Sequence, residues 1–366
     1  MYLLEKVMIK IDTKKAFIFT DIHYGAGDAS VEKGLIHNID NDNFINFCIK
    51  EIKADPEIDS ILFLGDMNQT RNSINLHTLK YVYEGMKKLN GLNLPIYITI
   101  GNHDLYKKND RSIHSLHFLE QFSNVVLIED PTEFKQKNKK YKDFLLCPFL
   151  MHGEELELVK YLSLPLWFGH FEFNGYEVTG HGTEMTGGID PDNFSAPDLI
   201  VSGHFHKRQM KKGKNVVYMG NPFPTNFGDA GDEERGYATF DFETSELLFT
   251  NWEDGPLYIR TTLSAVLEKK IDIDERCYVK CIVDSSITYE ESAKLQKKIM
   301  EKYNPRSFSM EESVEFIEVV SETESSKNWF NDEMATVDEM VVEMLSDVES
   351  EQLDTDVLVA IYNGLK

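Results

Sequence analysis

The sequence predicts an α/β fold in which a mixed sheet, or two packed sheets, carries helices on its flanks. Three observations predict it. Six short apolar runs punctuate the first two hundred residues, helix-length segments separate the earlier ones, and beyond residue 200 the helices give way to paired strands. A short unbroken apolar run reads as a strand covered on both faces rather than as a half-exposed one. The runs are AFIFT (16–20), ILFL (61–64), IYITI (96–100), FLLC (144–147), LWFG (166–169) and DLIVS (198–202). Helices are expected at 43–53 and 76–89, and strand pairs at 215–219, 236–241 and 246–252. The late strand pairs argue against a single doubly wound sheet.

A boundary is expected at Asp254-Gly255-Pro256. Beyond it RCYVKCIV (276–283) alternates as a strand, 288–303 reads as a helix and SVEFIEVV (313–320) as a second strand. The polar stretch SETESSKN (321–328) reads as a linker, and Phe330, Met334, Val337, Val341 and Met344 then recur at helical spacing. A shorter helix is expected at 353–362. The domains expected are therefore 1–255, a small β-α-β unit at 256–322, and an acidic helical segment at 323–366.

Composition narrows the class. The chain has 366 residues, 42% of them hydrophobic, enough for a substantial core. No stretch approaches the roughly 18 consecutive apolar residues of a membrane span, and Glu5, Lys6 and Lys10 break the N-terminal apolar run, so no secretory signal is expected. Four cysteines make no disulfide framework, and Cys277 and Cys281 share a strand face as two thiols. A reduced, cytoplasmic protein without a membrane is the expectation. The net charge of −24 is uneven: residues 311–366 hold 16 Asp and Glu against 2 Lys, a net of −14. That balance argues against non-specific coating of DNA but leaves room for a local DNA groove.

Five motifs fall at or just after strand ends: Asp21-Ile22-His23, Gly65-Asp66, Gly101-Asn102-His103-Asp104, Gly169-His170 and Gly203-His204-Phe205-His206. Alone, Asp-x-His, Gly-Asp or Gly-His is near-random; all five in order, each after an apolar run, are not. The carboxyl ends of strands in open α/β sheets are where sites are built. Together they would bring two Asp, one Asn and five His into one crevice, and seven oxygen and nitrogen ligands exceed one tetrahedral ion and fit two ions sharing a carboxylate. The glycines before four of them read as sharp turns at the sheet edge.

These motifs, over roughly residues 16–210, resemble the calcineurin-like metallophosphoesterase superfamily. Within it the chain is similar to the nuclease subunit of SbcCD-type DNA double-strand-break complexes. GHFEFNGYE, VSGHFHKR, YMGNPFPTNFGD and RGYATFDFETSEL resemble the form encoded by large tailed phages. The resemblance implies two packed mixed sheets flanked by helices, with a β-α-β cap and C-terminal helices. It implies two ions bridged by Asp66, one held by Asp21, His23 and His206, the other by Asn102, His170 and His204. The mixed donors suit Mn²⁺, with Mg²⁺ an option. It also implies exonuclease and endonuclease activity on DNA, an SMC-like coiled-coil ATPase partner, and a homodimer within a heterotetramer.

His103 is expected to stabilise the transition state or protonate the leaving group, with Asp104 orienting it. The family often carries His or Asp three residues after the bridging Asp; here Gln69 can hydrogen-bond a phosphate but cannot exchange protons. Of two basic runs, Lys135 to Lys142 is left open, while Lys207 and Arg208, directly after His206, open a run expected to grip phosphate. The acidic helix bearing Phe330, Met334, Val337, Val341 and Met344 is expected to dock into the ATPase. The alternatives are a phosphatase on the same fold, and a scaffold with a decayed site. Asp104, where protein phosphatases carry Glu, weakens the first, and the complete ligand set weakens the second.

Overall fold

In the computed structural model, residues 7–26, 31–178 and 182–312 are described. In chain order the strands are β1 Val7–Ile11, β2 Lys15–Phe19, β3 Ile58–Phe63, β4 Ile96–Thr99, β5 Leu105–Lys107, β6 Asp110–His114, β7 Val125–Ile128, β8 Thr132–Gln136 and β9 Phe144–Cys147. They continue as β10 Leu166–Gly169, β11 Leu199–Ser202, β12 Gln209–Met210, β13 Val216–Tyr218, β14 Gly236–Asp241, β15 Leu247–Asn251, β16 Leu257–Thr262, β17 Cys277–Val283 and β18 Ser307–Glu312. The helices are α1 Val31–Ala54, α2 Leu76–Asn90, α3 Leu263–Leu267 and α4 Tyr289–Tyr303.

Two mixed sheets result. One runs β15-β14-β2-β3-β4-β7, with β2, β3, β4 and β7 parallel and β14 antiparallel to β2. The other runs β1-β8-β9-β10-β11-β13-β12, with β9, β10, β11 and β13 parallel. Side chains alternate across a strand, and β2 shows the consequence. Ala16 and Ile18 join Phe134, Phe144, Phe168 and Val201 in the core between the sheets, while Phe17 and Phe19 pack with Phe44, Val82 and Met86 of α1 and α2. Both faces are covered, which is why these strands read as unbroken apolar runs. The third layer of apolar packing, around Trp167, Phe171 and Tyr218, covers the outer face of the second sheet.

The expected apolar strands all form, at most three residues from the spans read in the sequence. Helix α1 starts twelve residues before the expected 43, because its first turns bury His37, Asn38, Asp40 and Asn41 instead of an apolar stripe. Strand β8 buries Glu133 and Gln136, and the Gln136 amide bonds both the N–H and the carbonyl of Thr13. Polar burial of this kind leaves no apolar pattern to read. Lys135 lies in β8 and Lys137 to Lys142 in the connection to antiparallel β9.

From Leu257 a separate core forms around Leu263, Val279, Ile299 and Phe308 under the sheet β16-β17-β18. Cys277 and Cys281 share its buried face as free thiols. Helix α4 opens on a capping box between Thr288 and Glu291. The strand after α4 is Ser307–Glu312; the expected strand at 313–320 and the helix with Phe330, Met334, Val337, Val341 and Met344 lie outside the described residues. No helix among the described residues is long and apolar enough to cross a membrane.

Candidate metal centre

The carboxyl ends of β2, β3 and β4 in one sheet and of β10 and β11 in the other deliver all five motifs to one place. The loops are laced together by backbone bonds: the Asp21 N–H to the Gly65 carbonyl (3.0 Å), His23 to Asp66 (3.2 Å), Tyr24 to Met67 (2.7 Å) and Gly203 to Gly169 (3.0 Å). Asp21, His23, Asp66 and His204 adopt left-handed backbone, with φ of 51°, 46°, 58° and 88°. Each such residue costs of order 1–3 kcal/mol, so the chain strains itself at four of the seven candidate ligand positions.

The glycines act differently from their sequence reading. Of those preceding Asp66, Asn102, His170 and His204, only Gly65 has positive φ, at 99°. Gly101 is required by proximity: a Cβ there falls 2.2 Å from both the backbone nitrogen and Oδ1 of Asp66.

Two ligand sets converge. Asp21, His23 and His206 form one cluster, and Asp66, His170 and His204 another. In the second, Asn102 Oδ1 lies 3.0 Å from His170 Nε2 and 2.8 Å from His204 Nδ1. Asp66 Oδ2 stands between the sets, 3.4 Å from His170 Nε2 and 3.7 Å from His23 Nε2, while its Oδ1 accepts the His103 N–H at 2.7 Å. In the first set His23 and His206 face each other Nε2 to Nε2 at 3.0 Å. Two nitrogens each about 2.1 Å from one ion, at a near right angle, stand about 3 Å apart. The His170 Nδ1–H donates to the Leu64 carbonyl at 2.7 Å, which turns the other ring nitrogen inward. The donor set therefore fits two divalent ions sharing Asp66.

Electrostatics agree. Burial, with the neighbouring Asp66 charge, raises Asp21 to about 7. Burial resists charging His170, yet Asp66 and Asp21 outweigh it and lift the imidazole to about 9. Burial would also raise Asp66, but the imidazoles of His170, His23 and His103 hold its carboxyl far below the usual range. Burial keeps His206 down at about 4 and His23 well below its ordinary value, and His23 Nδ1 has no partner among the described residues.

His103 lies beside this centre, its ring 4.9 Å from that of His23. Its partner corrects one expectation: His103 Nδ1 meets the Gln69 backbone carbonyl at 2.8 Å. The Asp104 carboxylate instead accepts the amides of Gly101 and Asp66 on Oδ2 (3.0 Å each) and of Met67 (3.0 Å) and Asn68 (3.2 Å) on Oδ1. With both oxygens committed, Asp104 ties the Asp66 and Asn102 loops together and leaves the orientation of His103 to residue 69. That contribution is a main-chain carbonyl, so the Gln side chain does not alter it.

The basic run after His206 is largely engaged. Lys207 pairs with Glu177 (2.6 Å), Lys211 with Glu184 (2.6 Å) and Lys214 with Asp192. The Arg208 guanidinium lies over the Phe249 ring and donates to Asn251 (2.7 Å) and the Met219 carbonyl (3.4 Å); burial lowers it to about 10.

Three contributors escaped the sequence reading. Glu172 Oε2 meets His204 Nε2 at 3.1 Å, the buried Arg235 donates to the His206 carbonyl at 2.8 Å, and Phe149 lies 5.7 Å from the His204 ring. Glu172 and Arg235 sit inside the quoted stretches GHFEFNGYE and RGYATF, but no spacing rule points to them. A third cluster, His114, His117 and Glu129, lies elsewhere. There His114 Nδ1 accepts the Leu116 N–H at 3.2 Å, so Nε2 carries the proton and donates to Glu129. That imidazole has no lone pair left for an ion.

The calcineurin-like phosphoesterase family model matches residues 14–208. Exonuclease subunit 1 of Enterobacteria phage T4 is 30% identical over 201 residues, covering 51% of this chain and 56% of that protein, so the match spans only about half of this curated relative. Among solved structures, an archaeal phosphodiesterase aligns at 14% identity over 64% of this chain and 98% of its own, with a TM-score of 0.33. A dimetal phosphatase from Danio rerio aligns at 11% over 63% and 93%, with a TM-score of 0.37. The nuclease MPE of Pseudomonas putida aligns at 14% over 64% and 87%, with a TM-score of 0.28.

Proposed function

The chain belongs to the calcineurin-like phosphoesterase family, and from that premise we propose that it is a two-metal DNA nuclease. It hydrolyses phosphodiesters as exonuclease and endonuclease, in the cytoplasm, within a recombination and repair complex that includes an SMC-like coiled-coil ATPase. The observation that carries the chemistry is Asp66 Oδ2 placed between two sets of converging ligands. The likeness to a phage exonuclease subunit supports DNA as substrate.

Asp21, His23 and His206 would hold one ion and Asn102, His170 and His204 the other, with Asp66 between the two sets. Mn²⁺ suits these mixed donors, with Mg²⁺ the alternative. When bound, such ions supply a water that deprotonates near neutral pH and neutralise charge on the phosphoryl oxygens. The protein's own part is to hold that charge centre rigid and to offer His103. With Nδ1–H on the Gln69 carbonyl, the imidazolium of His103 presents Nε2–H to the phosphoryl oxygens or gives that proton to the leaving group. Lys207, released from Glu177, supplies a backbone contact at the rim. The acidic segment beyond residue 322 binds the ATPase, and the nuclease domains pair as a homodimer within the heterotetramer.

The test is Mn²⁺-dependent cleavage of end-labelled duplex DNA. Wild type cleaves, Asp66→Asn and EDTA abolish cleavage, and His103→Ala lowers turnover about 100-fold or more with metal still bound. Turnover of a phosphomonoester with no diester cleavage, with or without the ATPase, overturns the nuclease assignment in favour of a phosphatase.

A further inference from the structure

The inference deepens the two-metal reading and rests on it. Glu172 has no place in the five motifs, yet its carboxylate Oε2 is 3.1 Å from His204 Nε2. The other nitrogen of that ring, Nδ1, is 2.8 Å from Asn102 Oδ1. The two nitrogens thus face different jobs: Nε2–H donates outward to Glu172, and the Nδ1 lone pair points into the Asn102–His170–His204 site. Two lone pairs, on Nδ1 and on Oδ1, stand 2.8 Å apart there, a spacing that a cation between them relieves.

Glu172 is held for this. Its carbonyl accepts the Ile189 N–H (2.8 Å), the next-door Phe171 N–H donates to Ser202 Oγ (2.9 Å), and Phe171 and Phe173 on either side are fully buried. With its neighbours turned into the core, the Glu172 side chain faces the other way, toward His204. The remaining imidazole of this site, His170, leans on a neutral carbonyl, so Glu172 is the one carboxylate among these two orienting partners. A carboxylate accepting the far N–H of a ligating imidazole fixes its tautomer and raises its basicity.

We propose that Glu172 is a positioning residue for the Asn102–His170–His204 metal site, setting the tautomer and the ligand strength of His204. The test uses the metal-free full-length chain, as wild type, Glu172→Gln and Glu172→Ala. Calorimetric titration with Mn²⁺ is expected to give two ions in wild type. In Glu172→Ala one of the two loses affinity about 10- to 100-fold while the other is retained; Glu172→Gln, whose amide oxygen still accepts the N–H, loses less. Long-range proton–nitrogen NMR of labelled histidine, recorded without metal, is expected to show His204 protonated on Nε2 in wild type and Glu172→Gln, and a mixture in Glu172→Ala. Unchanged affinities in Glu172→Ala, or a wild-type His204 protonated on Nδ1, overturn the role of Glu172. Failure of wild type to bind Mn²⁺ overturns the two-metal reading beneath it.

Discussion

Asp104 shows how a residue picked out for chemistry can turn out to serve architecture. Its carboxylate caps four backbone amides of two loops, and each buried amide left without an acceptor costs about 1–3 kcal/mol. Asp104→Ala is therefore expected to lose at least about 3 kcal/mol in denaturant unfolding and to bind less than two equivalents of metal. Gly101 makes a sharper contrast, because its hydrogen stands where a Cβ would meet Asp66 at 2.2 Å. Gly101→Ala displaces the Asp66 carboxylate, and metal titration should show both ions lost or weakened. Gly153→Ala, at φ 91° with no atom of the described residues within 4 Å of a Cβ, is the control and costs only about 1–2 kcal/mol. The residues that converge at the candidate metal centre were legible in the sequence because each sits in a motif at a strand end. The roles of Asp104, Glu172 and Arg235 were not, since each acts on a partner distant along the chain.

At the scale of elements, α1 carries the least legible information. Burial holds His37 at about 4, against the pull of the Ile22 and His23 carbonyls and with a smaller push from Arg306. The folded state keeps this imidazole neutral while the unfolded chain takes up a proton below about 6.5. Its contribution is thus complete above pH 6.5 and is lost as pH falls toward 4, by about 3 kcal/mol. Unfolding of wild type and His37→Gln at pH 7 and pH 4.5 should show the acid loss to be smaller in the variant. One turn on, Asp40 receives the Arg306 guanidinium in a bidentate pair, at 2.5 and 2.7 Å, that joins α1 to the segment leading into β18. Removing one partner of a largely buried pair costs about 3–5 kcal/mol. Arg306→Met is expected to approach that figure, and Asp40→Asn added to it to recover part. These contacts link helix to cap across 266 residues, and nothing in the local sequence announces them.

For the molecule as a whole, the two sheets bring the carboxyl ends of parallel strands together from both sides, so one crevice gathers ligands spread from residue 21 to residue 206. The cost of assembling it metal-free is electrostatic: burial leaves Asp21 and Asp104 at about 7 beside the charged Asp66. A divalent ion relieves that repulsion. Mn²⁺ at about a hundred times its dissociation constant should stabilise the fold by about 2.7 kcal/mol per independent site. Thermal unfolding with Mn²⁺ and with EDTA measures this, and equal midpoints would contradict a metal centre at this position.

The sequence by itself determined the strands, the order of the five motifs and the seven residues that converge at the candidate metal centre, because unbroken apolar runs and short polar motifs are local signals. The tertiary structure decided what depends on distance through space. It put Asp66 between the two sets, turned Asp104 onto the backbone and His103 onto the Gln69 carbonyl, and set Glu172 against His204. It also committed Arg208 to Phe249 and Asn251. Such pairings follow from how two sheets close on one another, and a buried polar residue looks the same in sequence whether its partner is three residues away or a hundred.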